Sequence, residues 1–188
     1  MILMERSIKD RNILDSFCEQ FCKITEKYTQ YIVVSGFVAI ASGRTRGTED
    51  IDMIIERIDY VLFEQYFAHL VKDGFVCMQT SESKEAYSYL VEKLSIRFTY
   101  KDNPLPEMEV KFVKDPLDVY QMRTRTKLNL TGLDIWFSNI NVNIAFKEEL
   151  LKSTKDIEDA QHLRVVYTEL VDEGEINDIK TMIRRYRL

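Results

Sequence analysis

The sequence predicts an α/β (α+β) fold: a mixed sheet flanked by helices, followed by a helical C-terminal part. Three observations carry that expectation. Short β-branched or alternating runs recur between amphipathic stretches as far as Phe137. From Asn141 onward the apolar residues repeat at helical spacing instead. Glycine, proline and aspartate fall at the boundaries, where turns and helix caps need them. The expected division is 1–137 for the α/β domain and 138–188 for the helices packed on it. A chain of 188 residues, 45% hydrophobic and 30% charged, is long enough to bury a core and too apolar for disorder. Its three cysteines cannot all pair, which favours reduced thiols. No window reaches the ~20 apolar residues of a membrane span. Charges within Met1 to Asp10 argue against a secretory signal, so a cytoplasmic protein without membrane partners is expected. A net charge of −5 disfavours a broad nucleic-acid surface but leaves room for a local basic site.

Each element has its own signal. Leu14, Phe17, Phe21, Ile24 and Tyr28 step by three and four, one stripe of an opening helix. Cys18 and Cys22 lie beside that stripe and read as packed thiols, since no second Cys or His pair accompanies them. Tyr31 to Val34 is a buried strand, Phe37 to Ser42 a short helix, Gly43 to Glu49 a polar loop and Asp50 to Ile55 a second strand. Asp59 is placed to cap a helix over Tyr60 to Lys72, with Gly74 beyond its end. Phe75 to Gln79 is a strand, Ser83 to Glu92 a helix and Leu94 to Tyr100 a strand. Lys101 to Glu107, with two of the three prolines, reads as a turn before a strand over Met108 to Val113. Thr126 to Leu130 and Leu133 to Phe137 flank Thr131-Gly132 as a hairpin. Two helical stripes follow, Ile157, Ala160, Leu163, Tyr167 and Leu170, then Ile176, Ile179, Ile183 and Tyr186, with Gly174 separating them.

The segment from Val33 to Ile55 carries the chemistry. Asp50 and Asp52 share one face of a strand. Two adjacent carboxylates are costly to ionise unless a cation lies between them, and hard oxygen donors without His or Cys suit Mg²⁺. The plain alternative is a strand that begins with solvated acids. Ser35-Gly36 sits at a strand-to-helix junction, where a tight turn and free N–H groups can hold an anion. Arg44, Arg46 and Thr48 supply guanidinium groups and a hydroxyl suited to phosphate, or simply face water from a loop.

Together Val34-Ser35-Gly36 and Asp50-Ile51-Asp52-Met53 resemble the nucleotidyltransferase superfamily that includes DNA polymerase beta. The family pattern is a hydrophobic residue, Gly, then Gly or Ser, a spacer, and two acids alternating with hydrophobic residues. Phe37 stands where the family usually has a further Gly or Ser. The run from Arg46 to Asp52 looks most like small prokaryotic members, the minimal nucleotidyltransferases and the toxins of abortive-infection systems. The resemblance implies a nucleotidyltransferase-like fold and a third acid on a neighbouring strand. Glu109 is the best match, and Glu107 is its rival. It also implies a lysine on one helix and Lys-Asp-X-X-Asp on the next, matched by Lys147 and by Lys155-Asp156-Ile157-Glu158-Asp159. Asp156 and Asp159 would equally serve as helix-start acids.

The resemblance therefore implies transfer of a nucleoside monophosphate from an NTP, ATP among the candidates, to a hydroxyl of RNA, protein or a small molecule. Asp50, Asp52 and Glu109 would hold two Mg²⁺ ions. Ser35, Gly36, Arg44, Arg46, Thr48, Lys147 and Lys155 would bind the nucleotide. A role in a toxin–antitoxin or defence system, with a small helical or DNA-binding partner protein, follows from the same likeness. The alternative is a nucleotide- or protein-binding module without turnover. Arg123, Arg125 and Lys127 would share one face of an extended segment, as edge-strand charges or as an RNA track. Arg184, Arg185 and Arg187 suit a helix C-terminus. His69 and His162 lack a partner pattern for a catalytic base.

Overall fold

A computed structural model describes residues 8–48 and 50–188. Most of the charged Met1 to Asp10 stretch lies outside the described residues, as does Glu49. Helix α1 (Ile8–Thr25) buries Leu14, Phe17, Phe21 and Ile24 along its expected stripe. Cys18 and Cys22 are buried beside it, free, with their sulfurs 3.9 Å apart. Strand β1 (Tyr31–Val34), helix α2 (Gly36–Ala41) and strand β2 (Asp50–Ile55) follow. Asp59 caps α3 (Tyr60–Lys72) by accepting the Leu62 N–H at 2.9 Å. Strand β3 (Phe75–Cys77), helix α4 (Ser83–Val91) and strands β4 (Ile96–Tyr100) and β5 (Asn103–Phe112) complete the sheet.

The sheet order is β1-β2-β5-β4-β3. β2 and β5 run parallel, and every other neighbouring pair is antiparallel. Inward residues alternate as period two requires: Ile51, Met53 and Ile55 on β2 are buried beside Met108, Val110 and Phe112 on β5. α1 and α3 pack an aromatic layer against this face, with Phe17, Phe21, Phe75 and Phe98 in edge or tilted ring contacts.

After α5 (Pro116–Arg123) come α6 (Ile140–Phe146), a π-helical turn (Lys147–Leu151), α7 (Thr154–Val166) and α8 (Glu173–Arg187). Glu175 ties them together, accepting from Tyr120 of α5 at 2.7 Å and from Asn141 of α6 at 2.6 Å. Their apolar residues join the same core as the sheet. Among the described residues no helix is long and apolar enough to cross a membrane.

Five expectations change. Lys101 to Glu107 is not a turn: only Lys101-Asp102 turns, and β5 already begins at Asn103. Pro104 and Pro106 are tolerated there because β2 pairs only from Glu107 onward. The hairpin reduces to a single bridge between Thr126 and Phe137, with a 3-10 turn (Asn129–Thr131) and left-handed Gly132 between them. Arg123, Arg125 and Lys127 therefore do not form an extended face. Arg123 ends α5, while Arg125 and Lys127 lie over the Trp136 ring at 4.4 and 4.6 Å. Gly174 sits in the first turn of α8, and the break between helices is made by the Thr168–Leu170 turn and the Asp172 cap. Leu170 and Tyr186, expected on buried stripes, are exposed.

Candidate functional site

The parallel pairing of β2 and β5 builds an acidic cluster. It sets Asp50 beside Glu107, Asp52 beside Glu109 and Ile54 beside Lys111. Strand alternation puts these six side chains on one face. Glu107 and Glu109 are thus both neighbours of the aspartates, and the choice between them becomes a pair.

Burial raises the Asp52 carboxyl above its ordinary range; Lys111 draws it down, the charges of Glu109 and Asp50 add to the rise, and the nearby Ser35 hydroxyl eases it. Burial also raises Glu107, reinforced by the neighbouring Asp50 carboxyl and opposed by Arg97. Arg97 of β4, which pairs with Glu109 in register, reaches Glu109 at 3.1 Å and Glu107 at 3.3 Å. Lys111 approaches Glu109 at 3.8 Å. Among the described residues no three His, Cys, Asp or Glu converge as a ready metal group. The donor set itself, all hard oxygen and electrostatically crowded, has the chemistry that Mg²⁺ takes.

The Ser35-Gly36 turn stands beside this cluster. Val34 pairs with Asp52, so the turn begins where the second aspartate sits. Ser35 has φ 68° and ψ −144°, a conformation ordinarily left to glycine. The order Ser-Gly thus puts serine in the strained place and glycine in the next. A Cβ on Gly36 would overlap the Arg46 guanidinium, so glycine is what lets that cation lie on the turn. Arg46 Nε and Nη1 are buried without a hydrogen-bond partner. Phe37 points into the core, 1% exposed, and takes no space in the site.

Asp159 is the hub of the cationic side. Fully buried, it meets Lys147 Nζ at 3.0 Å, Arg44 Nε at 3.2 Å and Arg46 Nη1 at 3.5 Å. Asp156 lies 4.0 Å from Lys147 and closes a capping box with Ser153, so the helix-start role and the lysine contact coexist in one residue. Thr48 bonds the backbone of Asp50 and fixes the start of β2. Lys155 is exposed in the first turn of α7 and does not line the cavity described next.

A cavity of about 290 Å³ opens between the acidic face and the C-terminal helices. Ser35, Asp52 and Lys147 stand at it, with Lys111, Gln121, Asn143, Phe146 and Arg187 among its walls. Sequence reasoning missed Gln121 and Asn143, because neither belongs to a motif and α5 was not expected. Lys111 was readable, two residues after Glu109 on the same strand face. Arg187 is more than a helix-end charge: it reaches Asp118 at 2.8 Å and Asp115 at 2.6 Å.

Solved structures share this fold. A crystal structure of an antigenic nucleotidyltransferase-like protein from Paracoccidioides brasiliensis matches with a TM-score of 0.57 and 18% identity, over 96% of this chain and 90% of that one. The fold is that of nucleotidyltransferases. The solution structure of the antibiotic-resistance factor ANT(2'')-Ia matches with a TM-score of 0.55 and 14% identity, covering 93% of both chains. ANT(2'')-Ia in complex with adenylyl-2''-tobramycin gives 0.55 and 14%, over 94% of this chain and 99% of that one. No family description and no curated protein matches the sequence.

Proposed function

We propose that this chain is a metal-dependent nucleotidyltransferase, moving a nucleoside monophosphate from an NTP to a hydroxyl acceptor. One observation carries the reading: the β2–β5 register sets Asp52 beside Glu109, and Asp52 lines one cavity together with Ser35 and Lys147. One acid of the cluster, the turn and a cation therefore line the same cavity. The fold neighbours, one of them holding an adenylylated antibiotic, support a transferase of this kind.

Asp50 and Asp52 would hold Mg²⁺, with Glu109 or Glu107 joining once Arg97 releases it. Bound metal would neutralise charge on the α-phosphate and the leaving pyrophosphate. The chain's own residues account for the rest. The Ser35 hydroxyl and the Gly36 turn hold the triphosphate beside Asp52. Arg46, with unused N–H donors on the turn, and Lys147 balance its charge, which is mainly electrostatic catalysis. Glu109, freed from Arg97, accepts the proton of the attacking hydroxyl. RNA, protein and small molecules remain the acceptor classes, and a toxin–antitoxin setting with a small protein partner remains part of the proposal.

One observation favours a second reading, a nucleotide-binding module without turnover: Arg97 and Lys111 already engage Glu109. The test is label transfer from α-³²P NTPs with Mg²⁺ to RNA, cell protein and small hydroxyl compounds. Labelling that disappears in Asp50→Asn/Asp52→Asn supports transfer. Tight NTP binding with no labelled acceptor supports the binding module.

A further inference from the structure

We infer that the inner wall of the cavity reads the nucleobase and selects an amino group at the position of adenine N6 or cytosine N4. The inference rests on the nucleotidyltransferase reading of the cavity and adds the identity of the base.

Gln121 and Asn143 line the cavity and are each 3% exposed. Both amides are locked by what their nitrogens do. Gln121 Nε2 donates to Asp118 Oδ1 at 3.2 Å. That carboxylate is itself held by Arg187 at 2.8 Å and by the Lys114 N–H at 3.1 Å. Asn143 Nδ2 donates to the Ser138 carbonyl at 3.0 Å, the Ser138 hydroxyl at 2.8 Å and the Asn139 carbonyl at 2.9 Å. Turning either amide over would set a carbonyl against a carboxylate or against two carbonyls, so the orientations follow from the network. The ends left over are two carbonyl oxygens, Gln121 Oε1 and Asn143 Oδ1. Among the described residues neither has a hydrogen-bond donor.

Neither oxygen is among the buried polar atoms that lack a partner, so both are open to solvent, and a ligand that supplies N–H groups can take the place of water on them. Phe146, Val142 and Leu150 add apolar surface suited to a flat ring. Ser35 and Asp52 belong to the same cavity, so a nucleotide with its phosphates at the turn places its base along this wall. Adenine and cytosine present an amino group on that edge. Hypoxanthine and uracil present a carbonyl there, which meets the two protein carbonyls in repulsion.

The test is equilibrium binding of the non-hydrolysable α,β-methylene analogues of ATP, ITP, CTP and UTP, with inorganic triphosphate as the base-free probe. The native chain should prefer ATP over ITP and CTP over UTP by about tenfold or more, as expected when a polar site loses its partner. Gln121→Met keeps the volume and removes the carbonyl. It should lower both ratios severalfold, with the Asn143 carbonyl still in place, while leaving triphosphate affinity unchanged. Equal binding of ATP and ITP by the native chain overturns the inference, and so does a preference that survives intact in Gln121→Met. Should that variant fail to fold, the native ATP/ITP ratio alone decides. Failure of triphosphate and all four analogues to bind overturns the nucleotide reading itself. Transfer activity with a ratio of one overturns only the base assignment.

Discussion

Removing the Asp159 carboxylate gives the sharpest test of how the cationic side is built. The side chain is fully buried, and Lys147, its closest partner at 3.0 Å, is 1% exposed. Asp159→Ala therefore leaves an ammonium group in a low-dielectric setting, with Arg44 and Arg46 nearby and of the same sign. Breaking a buried pair by deleting one partner costs about 3–5 kcal/mol. Asp156, 4.0 Å from Lys147, offers partial replacement, which places the expectation at the lower end. For a chain of this size each kcal/mol lowers the melting temperature by roughly 2–4 °C, so a fall of roughly 6–12 °C is expected. Thermal unfolding followed by circular dichroism measures it. The companion variant Asp159→Leu/Lys147→Met removes the closest pair and should recover part of the loss, with Arg44 and Arg46 still left without the carboxylate. A single variant that melts within about 2 °C of the native chain refutes the reasoning. So does a double variant that falls by the sum of two single losses.

Three further outcomes follow. Ser35→Gly and Ser35→Ala both lack the hydroxyl, but only glycine accepts φ 68° without strain; the glycine variant should be about 1–2 kcal/mol more stable in urea unfolding, and equal stability would remove the strain argument. Gly36→Ala should push the Arg46 guanidinium off the turn, so its effect on triphosphate affinity should vanish in an Arg46→Ala background; additive losses in that double-mutant cycle would contradict the contact. Asp115 and Glu148 are raised by burial but brought below their ordinary range by Arg187, and by Arg164 with Lys180, respectively. Carboxyls lowered by folding contribute stability above their unfolded values, and lose it as pH falls through the folded ones. The melting temperature should thus hold between about pH 5 and 7 and drop below about pH 4, less steeply in Glu148→Gln; identical acid profiles for the two chains would contradict the assignment.

The part of the fold legible in the sequence is the part whose burial follows apolar periodicity. β1, β2, α3 and the Asp59 cap follow from β-branched runs, alternation and one capping side chain. α5 did not announce itself because two of its four inward residues, Asp118 and Gln121, are polar. Its core-facing side is stabilised by Arg187 from the last helix, a partner 69 residues away in sequence. The Thr131-Gly132 turn signal was real, but the flanking residues pair only at Thr126 and Phe137. Within the site, Asp50, Asp52, Ser35 and Gly36 were readable because they sit close together along the chain. Arg97, Gln121 and Asn143 were not, since their roles come from strand neighbours and helix packing. Lys147 and Asp159 were legible as a motif, though not as a buried pair shared with two arginines.

The measurement that bears most directly on the central claim is the fate of the two ends of a labelled NTP. With Mg²⁺ and a responsive acceptor, α-³²P label should appear on the acceptor while γ-³²P label leaves as pyrophosphate. Both signals should vanish in Asp50→Asn/Asp52→Asn, whose melting curve should remain cooperative. Transfer of γ label, or α-label transfer that persists without the two aspartates, would contradict the account.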